Sequence, residues 1–230
     1  IRYFFIDPMQ QLLFKLDMLM SYRFIIFDVE TNGLAAERHS VLSFSALLVQ
    51  TRRLYGYRQF ETLEEFDRFY YPVEPYNPSA IQVNGLTASK IRQRRNSGNY
   101  PYHFSQDPDI AKFCQKAELG ICHNTPFDLR FLKYSHGCEF PRTFCTMRNL
   151  TSYCAIPHPY YKIKWPKLDE AVRIICGRED FSFHDSLADC HAVLEILRVM
   201  GNSKESVGDL KWSDAFDELF SDLTNKDSGI

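Results

Sequence analysis

Positive charge is in no excess in this 230-residue chain. Its 27 Lys and Arg face 29 Asp and Glu, for a formal net charge of −2. No global field draws it to a polyanion, so a nucleic-acid contact would rest on local cations while acids hold metal. Long apolar runs are missing too. None reaches the ~20 residues that a spanning helix needs, so no membrane partner is expected. Residues 1–21 are broken by Arg2, Asp7, Pro8, Lys15 and Asp17, unlike a signal peptide. The seven cysteines are odd in number and contain no Cys-x-x-Cys pair. That argues against a disulfide framework and against a zinc site, and favours reduced, mostly buried thiols in a cytoplasmic protein. What the chain has is core material. It is 45% hydrophobic with 19 Phe and 13 Tyr, enough for one full domain with additions.

The organising stretch runs from Arg23 to Leu34. Phe24-Ile25-Ile26-Phe27 reads as a strand buried on both faces. Asp28 and Glu30 follow on one side of that strand, because successive side chains alternate. Two carboxylates on one face repel each other and lose hydration. A divalent ion between them relieves both costs, but two solvated acids at a strand end fit this stretch equally well. Asn32-Gly33 turns the chain away.

Ser40 to Gln50 reads as a second strand and residues 54–71 as a third, giving an antiparallel meander. Pro72 and Pro75 stop it. Asn77-Pro78-Ser79 opens a short helix through Val83, closed by Asn84-Gly85. Lys90, Arg92, Arg94 and Arg95 then form either a solvated helix end or a phosphate-contacting edge. Gln106 to Lys116 has helical spacing, with Ile110, Phe113 and Ala117 inward. Leu119 to Cys122 is a short buried strand. A helix runs from Asn124 to near Gly137, with Asp128 in its first turn and Phe127 toward the core. Arg142 to Met147 reads as a strand and 157–166 as a loop with Tyr160, Tyr161 and Trp165. Lys167 to Cys176 and Asp185 to Met200 are helices, and His184 stands just before the second. His39, His103, His136, His158 and His191 fit no pairing pattern and read as ordinary histidines. Strands followed by alternating helices and short strands imply an α/β chain with a central mixed sheet flanked by helices.

Asp28-Val29-Glu30, His123-Asn124-Thr125-Pro126-Phe127-Asp128 and His184-Asp185-Ser186-Leu187-Ala188-Asp189 occur in that order. Together they resemble the three motifs of the DEDDh, or DnaQ-like, 3'→5' exonucleases, from about Tyr22 to Met200. The resemblance implies a ribonuclease H-like fold. It also implies that Asp28, Glu30, Asp128 and Asp189 converge to hold two Mg²⁺ or Mn²⁺ ions, with His184 as general base. A Tyr four residues before the last Asp marks a sister group; this chain has Asp185 there. In the family pattern His123 and Asn124 shape the site beneath the metals. Thr31, Leu34, Asn124 and Phe127 are the implied substrate contacts, with Leu34 a wedge against the terminal base. Asn84-Gly85-Leu86-Thr87 matches a family His-Gly-Ile-Thr segment, with Asn in place of His.

The implied activity is release of nucleoside 5'-monophosphates from a DNA 3' end, with single-stranded DNA favoured. RNA 3'-end trimming is the alternative, because the motifs are shared. A third reading is a binding or polymerase-tethering subunit. The expected divisions are an extension over 1–21, the nuclease domain over 22–202 and a tail over 203–230. Gln10-Gln11-Leu12-Leu13-Phe14 faintly resembles a sliding-clamp peptide, and an appended helix packing on the domain is the plainer reading. Trp212, Phe216, Leu219, Phe220 and Leu223 form a short amphipathic segment that either packs on the domain or docks a polymerase.

Overall fold

The computed structural model describes residues 21–54, 56–95, 98–181 and 183–203, together with 206–207, 210–211 and Leu219. The clamp-like segment therefore lies outside the described residues, as does most of the terminal amphipathic segment. Leu219 is the exception and packs against the core.

Strand β1 (Ser21–Thr31) is central. It pairs antiparallel with β2 (Val41–Leu54), which pairs antiparallel with β3 (Tyr57–Phe69). On its other edge β1 pairs parallel with β4 (Leu119–Cys122), which pairs parallel with β5 (Arg142–Cys145). The sheet order is β3-β2-β1-β4-β5. The meander and mixed sheet are as the sequence implies. Strand β1 begins at Ser21, one residue before the boundary drawn at 22.

Helices cover both faces, which is why Phe24–Phe27 of β1 is apolar without interruption. Phe24 and Ile26 pack in one core with Val172, Cys190, Val193 and Leu197. These come from α7 (Leu168–Cys176) and α8 (Ser186–Asn202). Ile25, Phe27 and Val29 pack in the opposite core with Phe113, Phe131 and Leu132. Those belong to α3 (Pro108–Cys114) and α4 (Thr125–His136). Asp28 and Glu30 continue the Phe24–Ile26 face, so they emerge under the start of α8.

Several boundaries move. The helix expected over Gln106 to Lys116 divides into a 3₁₀ turn (Phe104–Gln106) and α3. Asp107 caps α3 through the Asp109 amide and Pro108 occupies its first turn, so the helix cannot begin earlier. The strand expected to Met147 stops at Cys145, where short helices α5 (Thr146–Asn149) and α6 (Thr151–Cys154) begin. The seven cysteines are all free, and five are buried.

The basic run divides: Lys90 and Arg92 are solvated, while Arg94 and Arg95 depart from both readings. It lies on α2 (Ala88–Arg95), which follows the short α1 (Pro78–Asn84). Arg95 is buried and donates to the carbonyls of Phe69, Tyr100 and Pro101. Arg94 pairs with Asp185 at 2.6 Å and Asp67 at 3.5 Å. Both guanidiniums brace the fold, and only Lys90 and Arg92 remain exposed.

Candidate active site

Asp28 and Glu30 leave β1 on the face that α8 approaches. Their partners across the ladder are Ser45 and Ser43. Those serines face the same side and hold α8 in place. Ser186 Oγ lies 2.9 Å from Ser43 Oγ and 2.7 Å from Ser45 Oγ. Ser45 Oγ donates to Asp67 Oδ1 at 2.7 Å. A hydroxyl has one proton, so Ser186 donates to Ser45 and Ser43 donates to Ser186. Arg94 then bridges Asp67 back to Asp185, whose carboxylate caps α8 by accepting from the Ala188 amide. This closed ring fixes the helix start, and with it His184 and Asp189. The sequence reading missed it, although Ser43 and Ser45, both buried, interrupt an otherwise apolar stretch from Val41 to Val49.

Single ligand atoms of Asp28, Glu30 and Asp189 can all lie within 4.8 Å of one another. Asp128 is not one of that trio; it lines the same cavity from α4, where it accepts from the Val29 amide at 3.3 Å. It begins there because Asn124, with φ 73°, turns the chain into α4 through left-handed backbone that Asn tolerates. Burial pushes the Asp28 carboxyl well above the usual range, and Asp128, Asp189 and Glu30 raise it further. Burial also pushes Glu30 and Asp189 up to about 7. Asn84, bonded to the Thr31 carbonyl at 3.1 Å, draws Glu30 partly back. Asp128 is raised by burial, with the Val29 amide opposing. Asp189 Oδ1 is buried with no hydrogen-bond partner among the described residues. Orphaned oxygen, crowded carboxylates and an all-oxygen donor set fit a hard divalent cation.

His184 sits at φ 65°, exposed, at the rim of a cavity of about 640 Å³ that all four acids line. Its ring has no hydrogen-bond partner among the described residues. Asp169 lines the same cavity, a fifth acid that the motif reading passed over. His123 forms the floor, with one ring nitrogen 3.0 Å from Thr146 Oγ1 and the other 3.0 Å from the Pro166 carbonyl. Burial holds its pKa below the usual histidine range.

Phe127 is part-buried and separates this cavity from a second, of about 630 Å³. Leu34, 77% exposed, and Val83 stand at that second cavity. Asn124 lines the first. Thr31, expected as a substrate contact, lines the second cavity. Its hydroxyl donates to the Gly33 carbonyl at 2.7 Å, so it secures the turn beneath Leu34. His39 lies over that turn; a Cβ on Gly33 would fall 2.5 Å from its ring. Buried Asn32 ties the turn to Glu74, Pro75 and Asn77, which sets α1 and Asn84 beside Glu30.

The RNase T exonuclease family profile matches residues 25–197. The chain belongs to this exonuclease family. Its catalogue of relatives includes the DNA polymerase III epsilon subunit of Pasteurella multocida, 24% identical over 199 residues, covering 81% of this chain and 71% of that protein. The epsilon subunit of Salmonella typhimurium is 24% identical over 200 residues, at 80% and 74% coverage. The PolC-type DNA polymerase III of Halalkalibacterium halodurans is 28% identical over 114 residues, and the match spans only 7% of that protein. An E. coli exonuclease I–single-stranded DNA complex, in a zinc-bound form, superposes with a TM-score of 0.56 at 14% identity. It covers 89% of this chain and 43% of that one. The exonuclease fold is thus a ribonuclease H-like mixed sheet flanked by helices.

Proposed function

We propose that this exonuclease removes nucleoside 5'-monophosphates from the 3' end of single-stranded DNA. The observation that carries the reading is the carboxylate group around the orphaned Asp189 oxygen, with the unpartnered His184 ring at its rim. Asp28, Glu30, Asp128 and Asp189 would hold two Mg²⁺ or Mn²⁺ ions. When bound, the ions supply Lewis acidity at the scissile phosphate and its attacking water. His184 takes the proton from that water, a role suited to an exposed imidazole at the rim of the cavity. Leu34 and Phe127 hold the terminal base, since apolar contact and stacking tolerate any sequence. The Asn84 amide lies beside Glu30, where the matching family segment has His.

DNA is favoured because the relatives are DNA polymerase III subunits and exonuclease I was crystallised on DNA. A place beside a polymerase, reached through 1–21 or 203–230, extends the same reading. Co-purification of tail truncations with a polymerase tests it.

The deciding assay digests 5'-labelled DNA and matched RNA with Mg²⁺, with Mn²⁺ and with chelator. A metal-dependent ladder shortening from the 3' end, lost in Asp28→Ala and His184→Ala, is the expected result. Faster loss of RNA would transfer the proposal to 3'-end trimming. Folded, metal-loaded protein that shortens neither polymer would leave a binding or tethering role.

A further inference from the structure

We propose that loop 157–167 is a stacking platform for the single strand leading into the candidate active site, engaging bases beyond the terminal nucleotide. The proposal rests on the exonuclease reading above and adds a second binding surface to it.

The loop is built, not slack. Pro157 and Ile163 form an antiparallel bridge, and the Lys164 amide donates to the Ile156 carbonyl at 2.9 Å. Within it, His158 Nδ1 accepts from the amides of both Tyr160 and Tyr161 at 3.2 Å. The imidazole also lies 5.0 Å from the Tyr161 ring and 6.0 Å from the Tyr160 ring. A short turn is thereby closed on one side chain, and both phenols are held outward. Tyr160 is 87% exposed and Tyr161 72%. Ordered aromatic rings left in water are a surface awaiting an apolar face.

The loop is continuous with the catalytic cavity. Trp165, itself 60% exposed, lines that cavity together with Pro166 and Lys167. The Pro166 carbonyl contact to His123 pins the base of the loop to the cavity floor. Charge points the same way. Residues 157–167 contain three lysines and no acid, in a chain of net charge −2. Lys164 is taken by Glu170. Lys162 and Lys167 are exposed and make no ion pair among the described residues. The Arg148 guanidinium sits 6.0 Å from the Trp165 ring centre. Aromatic faces interleaved with free cations, beside a phosphodiester site, are the recognition chemistry of single-stranded nucleic acid: rings stack on bases and cations follow the backbone. A base-paired duplex offers no free base faces to such rings.

The test compares two substrates on the full chain. One is a 5'-labelled DNA oligonucleotide. The other is the p-nitrophenyl ester of thymidine 5'-monophosphate, which is too short to reach the loop. For Tyr160→Ala/Tyr161→Ala, KM for the oligonucleotide should rise about 10-fold or more. Hydrolysis of the ester by the same preparation reports that the site is intact. Abasic residues at the second to fourth positions from the 3' end should raise the wild-type KM and add little to that of the variant, as coupling between ring and base requires. A matched RNA strand should show the same loss, because stacking does not read the sugar. An unchanged oligonucleotide KM in the variant overturns the proposal, as does an abasic penalty equal in both proteins; a protein-docking surface would give those results. Wild-type protein that cleaves neither substrate instead defeats the exonuclease reading.

Discussion

The Asp189 carboxylate illustrates a conflict between stability and activity. Its Oδ1 is buried without a partner among the described residues, beside Asp28 and Glu30, and burial has raised all three pKa values. Uncompensated acids destabilise a folded chain, so a site of this kind is held against the interest of stability. We predict that Asp28→Asn raises the metal-free unfolding free energy by about 1 kcal/mol while removing hydrolysis, measured by urea denaturation in chelator and by 5'-label digestion. A loss of stability would show that the acids are not in repulsion. His184 is the complementary case. It is exposed, so His184→Ala should leave stability nearly unchanged and lower kcat by about 10²–10⁴-fold, as steady-state kinetics can determine. Both substitutions change one functional group at a position whose backbone is otherwise secured.

That security belongs to the elements. Helix α8 is set on the sheet by Ser186 against Ser43 and Ser45, and by Arg94 between Asp67 and Asp185. Arg94 pairs with Asp67 and Asp185 rather than with Asp28, Glu30 or Asp189; it acts through Asp185 on the helix start. Arg94→Gln should therefore lower kcat with little change in KM, and Arg94→Lys should restore part of the loss; single-turnover rates at saturating substrate distinguish these. Strand β4 makes a second demand. A Cβ on Gly120 would lie 2.5 Å from the Phe140 ring, which stacks on Phe27 at 5.2 Å. Gly120→Ala must displace that ring inside a close-packed core. A cost of about 1–3 kcal/mol is expected, read from the shift in urea midpoint at constant m-value.

At the scale of the whole molecule, metal and proton binding link to folding. A cation that binds only the folded chain stabilises it by RT ln(1 + [L]/Kd), so Tm should rise with Mg²⁺ concentration and the rise should vanish in Asp28→Asn. Acid acts through buried histidine. His136 is half-buried, with Nε2 2.9 Å from the Phe104 carbonyl, and burial lowers its pKa. On acidification below about 6.5 the unfolded chain takes up a proton before the folded one does. The stability this ring confers is thus fully present above that value and is lost as pH falls through the lower folded pKa. Urea denaturation of metal-saturated protein from about pH 7.5 to 5.5 should show a steeper decline in wild type than in His136→Gln. Parallel curves would mean that the ring titrates alike in both states.

The sequence alone determined the central strand, the meander and the order of the three acid-bearing motifs. Each is encoded locally: apolar continuity in Phe24–Phe27, alternation that places Asp28 with Glu30, and the spacing of the three motifs. The tertiary structure decided what depends on residues distant in sequence. Arg94 and Arg95 look like a surface charge run until β3, α8 and the Tyr100–Pro101 carbonyls are folded around them. The Thr31 hydroxyl finds its acceptor, the Gly33 carbonyl, only once the turn is formed. Ser43, Ser45 and Ser186 have no shared pattern along the chain, being brought together only when α8 crosses β2. Hydrophobic periodicity is a property of neighbours and survives in one dimension. The partner of a buried polar group is chosen by the fold, because only packing decides which hydrogen-bonding groups lose water together.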